Sequence, residues 1–379
     1  MHQQNDPSTK NLPIKSDIPL DNPVDYDMIV FCHLRWDFVY QRPQHIIHRM
    51  SQKFKILFVE EPVEFATGEE KTAEVTEINS NLLVLKPKVN SIADIKYVLP
   101  MYVANPTVNC GWFYSSAFIS LLNDIEFETV IYDCMDELTM FRGASDLLSA
   151  QEVYLLSEAD IVFTGGKSLY EAKKGIHDNV HCFPSSVDRN HFASASEGFT
   201  PNDIPTGKPV VGYYGVIDER IDLELLKTIA EKMPEVNFVM IGPVVKIDPG
   251  HLPVAGNLHY TGMKPYNQLP NYLKGFDIAM MPFALNNATK FISPTKTLEY
   301  MAANKPVVST PVYDVVRDYS DCIAVVKNAE EWCDAINTIL KRTEAEKIKQ
   351  QGQFEAILNN TSWDETVNKM QEIIKQKAK

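Results

Sequence analysis

"FISPTKTLEYMAANKPVVST" (Phe291–Thr310) reads as a loop, a short helix, a turn and a buried strand. Ser293 is a preferred N-cap residue, and Pro294 suits the first helical position. Thr295 and Lys296 then fall in the first turn. "KPVVST" is a short apolar run of the kind that becomes a strand covered on both faces. A helix N-terminus offers free N–H groups and partial positive charge, which makes it an anion site. A lysine there is mildly unfavourable for the helix alone, and a bound phosphate removes that penalty. Glu299 lies three residues on and shares a face with Lys296. Its carboxylate is placed to accept hydrogen bonds from ribose hydroxyls, so the pair suits a nucleoside diphosphate. An ordinary surface ion pair on a capped helix accounts for these few residues equally well.

Outward from this stretch the same alternation recurs. "PVVGYYG", "VNFVMIG", "NLHYTG" and "FDIAMMPF" are strands, with "DLELLKTIAEKM" and "YNQLPNYLKG" as helices between them. Nearer the N-terminus, "MIVFC", "KILFVE", "NLLVLKP", "TVIYDC", "DIVFT" and "NVHCF" are strands. "PQHIIHRMSQ" and "SDLLSAQEVYLLSEA" are helices. Continuous apolar strands separated by helices imply parallel sheets. The fold class expected is α/β, with two Rossmann-like doubly wound domains facing a cleft. Ligands of such sheets bind at the carboxyl ends of the strands.

The domain plan follows from composition. Residues 1–24 are polar and proline-spiked and read as a disordered lead-in. Residues 25–195 form the first domain and 209–360 the second, joined by a Ser/Pro/Gly/Thr-rich linker at 196–208. Residues 361–379 close the chain with helix-rich sequence. A chain of 379 residues accommodates two such cores. The net charge of −14 argues against a nucleic-acid partner and against whole-molecule attraction to anionic lipid. The six cysteines lack metal-ligand spacing and read as reduced core thiols, which implies a cytoplasmic protein. No signal peptide or membrane-length apolar run is present in the sequence.

Several motifs lack what their chemistry requires. "TGGKS" (Thr164–Ser168) lacks the earlier glycine of a P-loop, because Ile161 stands there inside a strand. Asp25 and Asp27 in "DYD" precede the first strand and so lie at the wrong end of the sheet for a metal site. His45 and His48 have no acidic partner at metal spacing and read as packing or surface residues.

"SPTKTLEYMAANKPVVST" resembles the donor-nucleotide segment of retaining GT-B glycosyltransferases of the large fourth family. "SEADIVFTGGKSLYEAKK" with "NVHCFPSSVDRNHF", "VVGYYGVIDERIDLELL", "LHYTGMKPYNQLPNYLKGFDIAMMPF" and "SWDETVNKM" resemble further segments of that family in the same order, and the last implies a terminal helix, 361–379, that crosses back to the first domain. "WDFVYQRPQH" and "YGVIDERID" resemble the teichuronic-acid branch. Phe291 stands where the family usually has a glutamate, and Val216 where it often has an arginine.

The resemblance implies transfer of a sugar, of the hexosyl type, from a nucleotide-diphosphate sugar to a glycan or lipid-linked acceptor, with retention. It implies a role in cell-surface polysaccharide synthesis, at the inner face of the membrane if the acceptor is lipid-linked. No cofactor or metal is implied; the nucleotide sugar is a co-substrate, with UDP favoured and GDP possible. Arg220, Lys296 and Glu299 are the catalytic candidates. Gly215, Lys264, Tyr266, Ser293, Pro294 and Thr295 are expected around the donor. His33, Arg35, Trp36, Arg42, Asp133 and Asp136 are expected on the acceptor side. The alternatives are a nucleotide-sugar epimerase or hydrolase using Asp133, Asp136 or Glu137, and a non-catalytic sugar-binding protein.

Overall fold

A computed structural model describes residues 14–16, 23–63 and 71–377. The first lobe runs β1 (Ile14–Ser16), β2 (Met28–Cys32), α1 (Arg42–Met50), β3 (Ile56–Glu60), β4 (Thr72–Asn79), β5 (Leu82–Lys88), β6 (Thr107–Phe113), β7 (Glu126–Cys134), α2 (Asp146–Glu158), β8 (Ile161–Thr164), α3 (Lys167–Lys173) and β9 (Val180–Cys182). Its sheet has the order β1-β4-β5-β3-β2-β6-β7-β8-β9. All pairs from β5 to β9 are parallel.

The second lobe begins with α4 (Arg189–Ala193) and β10 (Val210–Tyr214). It continues through α5 (Leu223–Lys232), β11 (Asn237–Ile241), β12 (Leu258–Gly262), α6 (Leu269–Lys274), β13 (Ile278–Met281), α7 (Thr295–Ala302), β14 (Val307–Ser309), α8 (Tyr313–Tyr319), β15 (Ala324–Val325), α9 (Ala329–Leu340) and α10 (Glu344–Leu358). Its order, β12-β11-β10-β13-β14-β15, is parallel throughout. Every residue of β2, β3, β10 and β11 is buried, because helices or loops cover both faces. The last helix, α11 (Trp363–Lys377), packs Trp363, Val367 and Met370 into the first lobe's core.

Three expectations need correction. The first sheet is not purely parallel: β4 runs antiparallel to β5, and β1 extends that edge antiparallel to β4. Ile14–Ser16 is therefore a strand inside the expected lead-in, recruited by the open edge of β4; residues 1–13 and 17–22 lie outside those described. The chain enters the second core before the 196–208 tract, since Val187, Phe192 and Ala195 already pack there. A turn-rich composition marks where the chain bends, and this bend comes after the crossing. The strand "TVNCGWF" (β6) was also missed. Gly111 interrupts its apolar run because the Phe127 ring lies 2.7 Å from where a Cβ would be.

The loops after β2, β7, β8, β10, β11 and β13 leave the carboxyl ends of their strands and meet across the cleft. Asp25 and Asp27 lie at the opposite end, where an Asp27 oxygen accepts the Lys55 N–H at 2.7 Å. Among the described residues no helix is long and apolar enough to cross a membrane.

Candidate active site in the cleft

Helix α7 starts one residue later than the sequence suggests. Pro294 is the N-cap, with φ −66° and ψ 119°, and no side chain caps the helix. Ser293 lies just before the cap, and its carbonyl accepts a hydrogen bond from Ser185 Oγ of the facing lobe at 2.5 Å. Thr295 and Lys296 are thus the first two helical residues, and their N–H groups lack intrahelical acceptors. This uncapped end opens into the interlobe cleft, whose lining includes Ser293, Pro294, Thr295, Lys296 and Glu299.

Lys296 lies across Gly215. A Cβ at Gly215 would sit 2.2 Å from Lys296 Cε and 2.8 Å from Nζ, and the residue has φ +143°. Only glycine meets both conditions, steric and conformational. No carboxylate among the described residues forms an ion pair with Lys296, whose ammonium is 5.8 Å from the Tyr213 ring centroid. Burial holds its pKa below the usual lysine value; Glu299 pulls it up and Arg220 pushes it further down.

Glu299 is buried, and one oxygen accepts the Tyr214 hydroxyl at 2.7 Å. Burial raises its pKa, opposed by Lys296 and by that hydrogen bond. The second oxygen is left for a ligand. Arg220 lies in the loop after β10, held edge-on by Asp218 through Nε at 3.0 Å and Nη2 at 2.7 Å. Burial disfavours its charge, but the Asp218 hydrogen bond and the charges of Asp218 and Asp136 together outweigh this and raise its pKa. Nη1 has no partner in that pair and remains available. The site thus brings together two cations, a helix terminus and a carboxylate. That set can hold a diphosphate and an attached diol.

Tyr266 also lines the cleft. Its ring stacks on His191 at 4.3 Å, and its hydroxyl is buried without a partner among the described residues. Lys264 does not reach the cleft. It pairs with Asp203 at 2.6 Å and sits over the Tyr272 ring at 5.2 Å. The turn after β12 aims its side chain back along its own lobe.

On the facing lobe the expected acceptor residues divide. Asp136 lines the cleft; burial raises its carboxyl pKa, while Arg220 and Arg42 pull it down. Arg42 lines the cleft too, but its guanidinium is spent inward. It pairs with Asp133 at 2.8 Å and donates to the Phe183 carbonyl at 2.6 Å. Asp133 is fully buried because β7 runs through it, turning its side chain into the sheet face under α1. It is a structural counter-ion and not an acceptor contact. Arg35 bonds Glu60 at 3.0 Å, the Glu61 carbonyl and the Pro62 carbonyl at 3.1 Å, so it ties its loop to the end of β3. Trp36 is core, edge-on to Phe58 at 5.0 Å, with its N–H on Glu60 at 2.7 Å. His33 lies outside the cleft lining and its Nδ1 is buried without a partner. Burial, helped by Lys246, pushes its pKa down to about 4.

Glu137 is likewise occupied, by Lys173 at 2.8 Å. Of the three carboxylates expected for an epimerase or hydrolase, Asp133 and Glu137 are held by counter-ions and only Asp136 lines the cleft. Among the described residues no group of three His, Cys, Asp or Glu is placed to hold a metal ion. The sequence reading missed Asp218 and Tyr214, the residues that orient Arg220 and Glu299. Asp218 was findable, two residues from Arg220 in a strand-end loop; Tyr214 looked like any buried strand residue.

The chain resembles known proteins in sequence and in fold. Residues 208–342 match the family described as Glycosyl transferases group 1. The Bacillus subtilis protein named as teichuronic acid biosynthesis glycosyltransferase TuaH is 28% identical over 225 residues, which is 55% of this chain and 56% of that one. This chain thus spans about half the length of that relative. The Escherichia coli trehalose-6-phosphate structure bound with UDP-2-fluoro glucose superposes with a TM-score of 0.68 at 10% identity, covering 92% of this chain and 99% of the other. Sucrose-phosphate synthase from Thermosynechococcus elongatus gives 0.66 at 13% identity, covering 92% and 98%. Anabaena HepE in complex with UDP and glucose gives 0.63 at 12%, covering 92% and 99%.

Proposed function

We propose that this chain, a GT-B protein whose residues 208–342 form a group 1 glycosyl transferase domain, moves a sugar from a nucleotide-diphosphate sugar to a hydroxyl acceptor. The observation that carries the reading is the Lys296 ammonium, unpaired at the uncapped start of α7, with Glu299 one turn on in the same cleft. A half-buried cation without a counter-ion favours a ligand that supplies one. A diphosphate supplies it, and the ribose then falls to Glu299. UDP is the favoured nucleotide, since two structural neighbours hold UDP or a UDP sugar. The likeness to TuaH supports a cell-surface glycan or its lipid-linked precursor as acceptor.

In the proposed reaction the bond from the anomeric carbon to the diphosphate oxygen breaks, and the electron pair leaves with the diphosphate. Charge grows on that oxygen, where Lys296, Arg220 and the first N–H groups of α7 stabilise it. The acceptor hydroxyl bonds to the anomeric carbon from the same face, giving retention. Its proton passes to the departing phosphate, with Asp136 placed to orient the acceptor.

The test is thermal stabilisation with UDP, GDP, ADP and dTDP, followed by product analysis with the matching nucleotide sugars. A ligand bound only by the native state raises Tm. One nucleotide should do so strongly, and sugar should be transferred only when an acceptor is present. No stabilisation by any of the four would reject the reading. Turnover of the sugar nucleotide alone to an isomer would return the epimerase.

A further inference from the structure

The loop after β7 does more than carry Asp136. At its far end the Phe141 ring is approached by two cations of the other lobe. The Arg220 guanidinium carbon is 5.5 Å from the ring centroid and the Lys246 ammonium 5.3 Å. Both distances are within cation–π range. The cations come from different loops, after β10 and after β11, and repel each other; a shared aromatic ring offsets that repulsion. Lys246 reaches this position from φ +62°, a left-handed backbone that a lysine rarely adopts. No ion pair engages it among the described residues.

The loop is anchored at both ends. Near its start Glu137 is fixed by the buried Lys173, which also pairs with Glu152 at 2.8 Å. Beyond the ring, the Arg142 N–H donates to Glu219 Oε1 of the opposite lobe at 3.0 Å. Glu219 neighbours both Asp218 and Arg220.

We propose that Phe141 is the closure residue of the proposed donor site. Approached by Arg220 and Lys246, it holds the lobes together, steadies the guanidinium for the diphosphate and keeps water from the anomeric carbon. The competing reaction is hydrolysis. Water bonds to the anomeric carbon, the diphosphate leaves with the bonding pair, and the water's proton goes to phosphate or solvent. Phe141 is a positioning residue whose work is to make transfer outrun that loss. This inference rests on the donor-site reading above.

The test uses the full chain as wild type, F141A and F141W, with two readouts. The first is small-angle X-ray scattering without ligand. F141A should show a larger radius of gyration than wild type, and F141W should match wild type. Superimposable curves for wild type and F141A overturn the closure. The second is UDP release from UDP-glucose without acceptor. F141A should raise it about three- to tenfold, the range a cation–π contact of ordinary strength can control, and F141W should restore it. Unchanged release in F141A also overturns the proposal. If the wild type neither binds UDP nor turns over UDP-glucose, the donor assignment fails instead. The scattering arm then decides the closure by itself.

Discussion

Gly215→Ala tests the donor site through a single methyl group. That methyl would lie 2.2 Å from Lys296 Cε, 2.8 Å from its Nζ and 2.7 Å from the Tyr213 hydroxyl. Something must move, and the flexible end of Lys296 is the easiest to displace. The φ of +143° adds a backbone penalty of about 1–3 kcal/mol for a non-glycine residue. The two consequences separate experimentally. Strain lowers Tm of the free protein. Displacement of Lys296 removes a charged hydrogen bond to the diphosphate, about 1.5–3 kcal/mol, or a roughly ten- to hundredfold rise in Kd for UDP. Calorimetry with UDP beside thermal melting reads both. Gly256→Ala is the control, because nothing lies within 4 Å of its added methyl. A folded Gly215→Ala protein that binds UDP within about twofold of wild type would refute the placement of the diphosphate against Lys296.

Three further substitutions probe the same arrangement. Burial lowers the Lys296 pKa, so its charge destabilises the free fold below the folded pKa. That penalty fades as pH rises toward the ordinary value of 10.5. Lys296→Met should therefore melt higher than wild type at pH 7 without ligand, converge with it in alkali, and lose UDP binding; a lower Tm at pH 7 contradicts the unpaired charge. Glu299→Ala should weaken UDP by about 1.5–3 kcal/mol while leaving inorganic pyrophosphate unaffected, because only UDP carries the ribose. Equal losses for both ligands would remove Glu299 from the ribose. Asp133→Ala strands the buried Arg42 charge and should cost about 3–5 kcal/mol in urea unfolding. A loss under about 1 kcal/mol would return Asp133 to the cleft.

The parts legible in the sequence were those where one local pattern has one physical meaning. Apolar strands alternating with helices marked the parallel core of both sheets. A lysine and a glutamate at the start of one helix marked its open end. What stayed hidden depended on where side chains point after the chain has folded. Asp133 and Asp136 are three residues apart in the same strand-to-loop segment; β7 ends between them, so one faces the core and the other the cleft. Lys264 and Lys296 both follow strands, yet one bonds to its own lobe. Ser293 had the chemistry of a cap, but the helix begins after Pro294 and leaves Ser293 one residue short of the cap position. The antiparallel edge at β4 was hidden because "TAEVTEIN" alternates weakly and adjoins residues of turn-like composition.

The unpaired Lys296 has a consequence for turnover. On the proposed function, the group that best satisfies this ammonium is the fully charged diphosphate left after the sugar has departed. The spent nucleotide therefore fits the pocket better than the donor did, and its escape must reopen a charge that nothing else covers. Such an enzyme stalls on its own by-product. Its pace in a cell would follow the removal of free nucleoside diphosphate as closely as the supply of activated sugar.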